Sequence, residues 1–204
     1  MRNKNEQQWL ALWKRLGAKG DACTIYNDLV ARYSETHRAY HTLEHIRHCF
    51  DEFEQVRYLA MNPDAIELAL WYHDIVYDTH AKDNEEKSAG LAVAVLIQSS
   101  MPRDFVRYVM NLILATKHIE IPVDIDTQLI VDIDLSSLGL PNQEFDRNSR
   151  NIRKEYQWVA DDLFIAGRSA MLKSFLKRSN IYSTQFFRDK YEAQARRNII
   201  RSLA

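Results

Sequence analysis

Histidines are concentrated in one part of the chain, where five of the seven lie between His37 and His73. Three of them and one glutamate recur at helical spacing: His41, His45, His48 and Glu52. At about 100° per residue these side chains project within about 60° of one another, beside the apolar stripe of the same helix. If Thr42 is the N-cap of that helix, His41 lies just outside it. The pattern predicts a group of imidazoles on one side of a helical core.

The adjacent pair His73-Asp74 ends the next apolar helical segment. His73 falls on the stripe that includes Ile66 and Leu70, so it needs a buried partner, because an unsatisfied polar group costs about 1–3 kcal/mol. A single buried histidine is more often a hydrogen-bonded core residue than a metal ligand. The adjacent carboxylate of Asp74 raises the odds that His73 is a metal ligand, but a hydrogen-bonded core residue stays the more frequent case.

Asp132 and Asp134 lie in a further apolar segment. Residues two apart on a helix point about 200° apart, so only one of the two can face the core. We expect Asp134 to face inward and Asp132 to lie opposite. A buried carboxylate needs a cation or hydrogen-bond donors.

Together, His45, His73, Asp74 and Asp134 offer mixed nitrogen and oxygen ligands with coordination positions left open. This set favours a divalent transition metal (Mn²⁺, Fe²⁺, Co²⁺, Ni²⁺ or Zn²⁺), with Mg²⁺ as an alternative, over the all-oxygen sites of Ca²⁺.

The elements that must position these residues are helices. The chain has only 5 Gly and 4 Pro among 204 residues, and no strand-like alternation persists. We predict an all-α fold and a single helical domain over residues 1–204, with a metal-site core at about 36–140 and additional helices at about 142–204. Helices are expected from about 126 to 138, around 152–159 and over 169–176.

Charge and hydropathy exclude several function classes. The balance of 27 Lys+Arg against 28 Asp+Glu gives no global field that would attract nucleic acid or an anionic membrane. The longest purely apolar run is residues 91–97, whereas a membrane span needs about 20. Residues 1–8 carry no apolar signal core, and two cysteines make no disulfide framework. We expect a cytoplasmic protein, and the oligomeric state stays open.

The ordered set of a first His, an adjacent His-Asp and a distant Asp resembles the HD-domain superfamily. The resemblance narrows to its predicted metal-dependent phosphohydrolases, whose hallmark segments cover most of the chain. Those segments are Arg38-Ala39-Tyr40-His41, Asp83-Asn84-Glu85-Glu86-Lys87-Ser88-Ala89, Asp132-Ile133-Asp134-Leu135, Ile152-Arg153-Lys154-Glu155-Tyr156, Phe175-Leu176-Lys177-Arg178, Ile181-Tyr182 and Ala195-Arg196-Arg197-Asn198.

The resemblance implies that metal-activated water attacks a small phosphorylated metabolite, by analogy with relatives that hydrolyse nucleotides, cyclic nucleotides or alarmones. Family 5′-nucleotidases carry acids three and eight positions after the His-Asp aspartate, where this chain has Tyr77 and Lys82. This departure argues against nucleotide monophosphatase activity. Two alternatives stay open: a non-catalytic metal- or nucleotide-binding module, and a diiron oxygenase that would need further histidines such as His80 or His118.

Further residues are candidates for catalysis. Asp78, Glu85 and Glu86 are candidate general acids or bases, although Asp83-x-x-Glu86 also fits a capping box and Glu85 a solvated helix face.

Other residues are candidates for binding the substrate. Arg38, His41 and His118 are expected near it, with a salt bridge as the alternative for Arg38 and a helix-end position for His118. A basic set in the last third would either be solvated or bind an anionic tail of the substrate: Arg150, Arg153, Lys154, Arg168, Lys173, Lys177 and Arg178.

Overall fold

The computed structural model describes residues 4–204, so residues 1–3 of the polar N-terminal segment lie outside the described residues. Within that part of the chain every regular element is a helix, which confirms the predicted all-α class. The helices are α1 (Lys4–Leu16), α2 (Ala22–Tyr33), α3 (Leu43–Val56), α4 (Pro63–Tyr72), α5 (Asn84–Gln98), α6 (Arg103–Ala115), α7 (Ile125–Leu135), α8 (Asn142–Glu155), α9 (Asp161–Leu176), α10 (Gln185–Phe187) and α11 (Ala193–Leu203). Short 3₁₀ turns follow α3 and α7, and a π-helical turn (Arg188–Glu192) joins α10 to α11.

Local capping fixes where several helices begin. Thr42 accepts a hydrogen bond from the backbone N–H of Glu44 at the start of α3, at 3.3 Å. Asn62 precedes Pro63 and accepts from the N–H of Ala65 at the start of α4. These caps satisfy backbone donors that have no partner within the helix. The first metal-ligand candidate, His45, is therefore held in the first turn of α3.

Helix α4 is the centre of the core. Each residue from Ala65 to Tyr72 is at most 1% exposed, and the helix packs against α1, α3, α5, α6 and α7. The indole of Trp71 lies 4.8 Å from the ring of Phe50 and 5.7 Å from that of Trp9, which locks α3 and α1 onto α4. Because α4 is surrounded by these helices, close packing against them fixes the position of its last turn. The side chains that follow α4 are consequently placed with little freedom.

Three predicted helix boundaries are wrong. Helix α7 ends at Leu135 and continues as a 3₁₀ turn (Ser136–Gly139) instead of running to residue 138. Helix α8 ends at Glu155, and a turn replaces the helix expected through residue 159. The carboxylate of Glu155 binds the backbone around Ala39, and this long-range contact fixes the end of α8. Helix α9 starts at Asp161, ahead of the expected 169.

The expectation that Asp132 lies opposite the core is also wrong, because its side chain is fully buried. Its two carboxylate oxygens accept from the N–H groups of Ser183 and Thr184, each at 2.7 Å, and from the Thr184 hydroxyl. Asp132 therefore anchors the loop before α10.

Within residues 4–204 no helix combines the length and the hydropathy that a membrane crossing requires.

Candidate metal centre

Three helices bring the candidate ligands together. His45 comes from the first turn of α3 and Asp134 from the last turn of α7. His73 is the residue directly after α4, where its N–H still binds the carbonyl of Ala69 at 2.8 Å, and Asp74 follows it. His45 and His73 are 4% and 1% exposed. The two aspartate side chains are less deeply buried and face a cavity.

Four side-chain atoms converge at this point. Nε2 of His45 lies 3.3 Å from Nε2 of His73, 3.5 Å from Oδ2 of Asp74 and 3.2 Å from Oδ1 of Asp134. Nε2 of His73 lies 3.1 Å and 3.7 Å from the same two oxygens. Ligands about 2.1 Å from a metal are separated by about 3.0 Å in an octahedral site and about 3.4 Å in a tetrahedral one. The observed separations suit one divalent ion.

The donor pattern of the cluster also requires a cation. Nδ1 of His73 lies 3.0 Å from the Leu70 carbonyl, to which it donates. In the neutral imidazole this leaves Nε2 with a lone pair that faces His45 and both carboxylates. Acceptor atoms packed this closely repel one another unless a proton or a metal ion lies between them. The residues present therefore fit a metal ion.

Electrostatics favour positive charge at the same place. Burial lowers the pKa of His73, but the charge of Asp74 and hydrogen bonds to both aspartates outweigh burial and raise that pKa well above its ordinary value. Burial raises the pKa of Asp134, but hydrogen bonds from His118, His45 and His73 bring it well below its ordinary value. The raised pKa of His73 and the lowered pKa of Asp134 have the same cause: the electrostatic potential between the imidazoles and the carboxylates stabilises positive charge.

Cys49 is a fifth group at this centre, and the sequence does not single it out. The ligand atoms of His45, Cys49, His73 and Asp134 all lie within 4.8 Å of one another, so this buried group can hold a metal ion. Sγ of Cys49 is 3.7 Å from Nε2 and 3.9 Å from Nδ1 of His45, so it lies off the lone-pair direction of Nε2. Burial raises the pKa of this thiol well above its ordinary value. Oδ2 of Asp74 lies nearer to Nε2 of His45 than Sγ of Cys49 does, at 3.5 Å against 3.7 Å, so both groups are close enough to be the fourth ligand.

The cluster opens into a cavity of about 660 Å³, a size typical of small-molecule sites. Five of the predicted site residues line it: His41, Asp74, Glu85, His118 and Asp134. The other walls carry the aromatic side chains of Tyr77, Trp158 and Phe164.

The three candidate acids lie in different surroundings. Glu85 is half-buried on the cavity wall, and burial raises the pKa of its carboxyl. Glu86 forms an ion pair with Lys117, and Asp83 makes no side-chain cap on α5, so the capping box does not form. Asp78 accepts from the N–H of His80 in the loop before α5 and does not line the cavity. Of these three acids, Glu85 is the one that lines the cavity, where its carboxyl group could exchange a proton with a ligand.

Arg38 differs most from its expected position. Its guanidinium is fully buried and donates to the carbonyls of His41, Asp74 and Ile75 at 2.7–3.1 Å, while Nε binds Glu35. It does not line the cavity. Arg38 therefore fixes the backbone that carries Asp74, with four of its five N–H groups bound to the protein and its guanidinium away from the cavity lining.

His41 and His118 both reach the cavity. Nδ1 of His41 lies 2.8 Å from Oε2 of Glu155, and the ring stacks on Tyr77 at 4.0 Å. Nε2 of His118 lies 2.8 Å from Oδ2 of Asp134, the oxygen that faces away from the other imidazoles. His118 has a positive φ of 57°, and its carbonyl accepts from Arg178 at 2.5 Å. His118 thus orients a candidate ligand.

Three comparisons with known proteins give no match: none of the family models, the curated proteins or the solved structures matches this chain. Membership of the HD-domain superfamily therefore stays a prediction from the motifs. What stands independently of it is an all-helical fold with a buried histidine, cysteine and aspartate cluster that can hold a metal ion.

Proposed function

We propose that the protein is a metal-dependent phosphohydrolase acting on a small phosphorylated metabolite. The ligands assigned to the metal are His45, His73, Asp74 and Asp134. The observation that carries the proposal is the opening of this cluster into a cavity whose wall carries the half-buried carboxyl group of Glu85. A divalent metal in such a site supplies Lewis acidity that activates water and polarises a phosphoryl oxygen.

The chain's own residues supply binding and proton transfer. Burial lowers the pKa of His41, but the charge of Asp74 and the hydrogen bond and charge of Glu155 outweigh it and raise that pKa, which favours a positive imidazole beside an anionic substrate. Glu85 accepts a proton from water as the oxygen of that water bonds to phosphorus. The same proton then passes to the leaving alkoxide as the ester P–O bond breaks, and the products are phosphate and an alcohol.

Neither alternative class gains a supporting contact. A diiron oxygenase needs further imidazole ligands, but His80 stacks on Trp158 at 3.8 Å and does not line the cavity. His118 contacts the Asp134 carboxylate with Nε2. A non-catalytic metal module would need no acid on the cavity wall, where Glu85 lies.

The test starts with protein purified without chelator, whose metal content is measured by elemental analysis. Phosphate release is then followed with a panel of phosphorylated metabolites and added Mn²⁺, Co²⁺, Ni²⁺ or Mg²⁺. We expect release that requires metal and is lost in His73→Ala and Glu85→Gln, with metal lost only in the first. His48→Ala is the matched control, because His48 is an α3 histidine bound to Ser136 and does not line the main cavity.

Oxygen-18 in the solvent should appear in the released phosphate, because water attacks phosphorus. Label found only in the alcohol would mean C–O cleavage and would refute the phosphoryl mechanism. Bound metal without phosphate release from any compound would favour the binding module.

A further inference from the structure

Helix α9 forms a wall of the main cavity that contributes none of the assigned metal ligands. Residues of one helical face line the cavity, among them Phe164, Arg168, Met171 and Phe175. These four follow each other at spacings of three or four, so they share one side of α9. Arg168 is the one charged side chain that this helix contributes to the lining.

The guanidinium of Arg168 has no counterion among residues 4–204. Its hydrogen bond there is a weak one, from Nη1 to Sδ of Met171 at 3.9 Å. The ionisable groups that act on it are the hydroxyls of Tyr40, Tyr77 and Tyr156, and no carboxylate is among them. Burial lowers the pKa of Arg168, which shows that the surroundings disfavour its charge. A desolvated guanidinium with unused donors gains most from an anion, which it can bind through two parallel N–H groups.

Arg168 is not used by the carboxylates of the proposed metal centre. Asp74 and Asp134 pair with histidines, and neither forms an ion pair with Arg168. The positive groups that act most strongly on these carboxylates are His73, His41 and His118. The donors of Arg168 therefore remain for an anionic group of a ligand in the cavity.

We propose that Arg168 binds a second anionic group of the substrate, a phosphate or a carboxylate, so that the substrate carries two separated anionic groups. This inference rests on the proposed function for the identity of the first group. Phe164, Met171 and Phe175 give the same cavity apolar surface, so the part of the substrate that links its two anionic groups is expected to be partly apolar.

Binding can be measured without turnover, because the structure provides an optical reporter. Trp158 lines the cavity and is 52% exposed, whereas Trp9, Trp13 and Trp71 are at most 4% exposed. A ligand that enters the cavity should change the emission of Trp158 alone. Trp158→Phe should abolish the signal.

The probes are methylphosphonate, with one anionic group, and alkane bisphosphonates and phosphonoalkanoates of increasing chain length, with two. Their P–C bonds resist hydrolysis. With metal-loaded protein we expect at least one two-headed probe to bind about 10- to 100-fold more tightly than methylphosphonate, as expected for one charge-assisted contact. Arg168→Met should remove this advantage and leave methylphosphonate affinity and metal content unchanged. Lys173→Met, an exposed α9 residue that does not line the cavity, is the matched control.

Preference for the bisphosphonate or for the phosphonoalkanoate identifies the second group as phosphate or carboxylate, and either result supports the proposal. Equal weakening of one- and two-headed probes in Arg168→Met would overturn it, because Arg168 would then hold the metal-bound group. No weakening would overturn it as well. Arg168→Lys, which keeps the charge, should retain part of the advantage and serves if the Met variant does not fold. Absence of phosphate release from any ester would refute the proposed function and leave this binding result standing.

Discussion

Asp132 and Asp134 allow a direct test of the metal assignment, because both are carboxylates on α7 and lie two residues apart. Oδ1 of Asp134 faces the two ligand imidazoles at 3.2 and 3.7 Å, and Oδ2 faces His118 at 2.8 Å. Among residues 4–204, the hydrogen-bond partners of the Asp132 carboxylate are two backbone N–H groups and a hydroxyl of the loop before α10. We therefore expect Asp134→Asn to affect metal binding and Asp132→Asn to affect stability.

The expected magnitudes follow from these contacts. Loss of a group that only orients a metal ligand costs about 10- to 100-fold in affinity, so loss of the anionic ligand itself should exceed about 100-fold, or about 2.7 kcal/mol. Asparagine keeps one oxygen in place, so some affinity should remain. In Asp132→Asn at least one buried N–H loses its acceptor. The free energy of unfolding should fall by about 1–3 kcal/mol, with metal affinity within about threefold of the wild type.

Metal affinity is measured by titration calorimetry on chelator-treated, dialysed protein, and stability by urea denaturation in the presence of chelator. Chelator separates the two readouts, because bound metal itself stabilises the folded state. Equal losses of affinity in the two variants, or a larger loss in Asp132→Asn, would refute the assignment of Asp134 as a ligand.

The remaining predictions concern pH, loop anchoring and packing. Burial raises the pKa of Asp132 to about 6 from an ordinary 3.8, so the folded state binds the proton more tightly. The stability of the wild type relative to Asp132→Asn should then be highest below pH 3.8 and fall as pH rises to about 6, by on the order of 3 kcal/mol; a flat difference in urea titrations would contradict this. Metal affinity should increase with pH through neutrality, since the raised pKa of His73 makes protons compete for the site, and calorimetry at several pH values would show it. Glu155→Gln should lower the free energy of unfolding by about 1–3 kcal/mol, because the Glu155 carboxylate accepts from the three consecutive N–H groups of residues 39–41 and pairs with His41. An unchanged midpoint of urea denaturation would exclude this anchoring role. Gly139→Ala should lower the free energy of unfolding by about 1–3 kcal/mol, because the new Cβ would lie 2.5 Å from the Cβ of Tyr191. The control Gly90→Ala, within α5, places its Cβ in open space and should raise the free energy of unfolding by about 0.5–1 kcal/mol.

Helix positions and the order of candidate ligands could be predicted from the sequence, because both depend on local features. The caps at Thr42 and Asn62 act on residues two or three positions further on. The apolar periodicity of α4 placed His73 on the buried side of its segment. Each of these signals lies within a few turns of the residue it positions.

Long-range contacts explain what could not be predicted. Glu155 binds the N–H of Ala39, which is 116 residues away, and Asp126 binds the N–H of Met61, which is 65 residues away. The buried guanidinium of Arg38 caps the carbonyls of Asp74 and Ile75, 36 and 37 residues away. No local spacing encodes such partners. A basic residue before a ligand helix therefore looks the same in sequence whether it binds a substrate or the protein's own backbone.

Local sequence spacing also does not show whether a buried carboxylate binds the protein's own backbone or a metal ion. The hydrogen-bond donors around each carboxylate in the structure distinguish the two cases. Every contact of Asp132 is with a donor: two backbone N–H groups and one hydroxyl. The fold itself therefore supplies donors to both oxygens of this carboxyl group. At Oδ1 of Asp134 the contacts are Nε2 atoms of two imidazoles, and His73 already uses its Nδ1 hydrogen on Leu70. In the neutral form of His73 a lone pair then faces a carboxylate, and a proton or a bound metal ion removes the repulsion. The apolar pattern of the sequence therefore does not separate the two aspartates, whereas the donors and acceptors around each one distinguish a loop anchor from a group that can hold a metal ion.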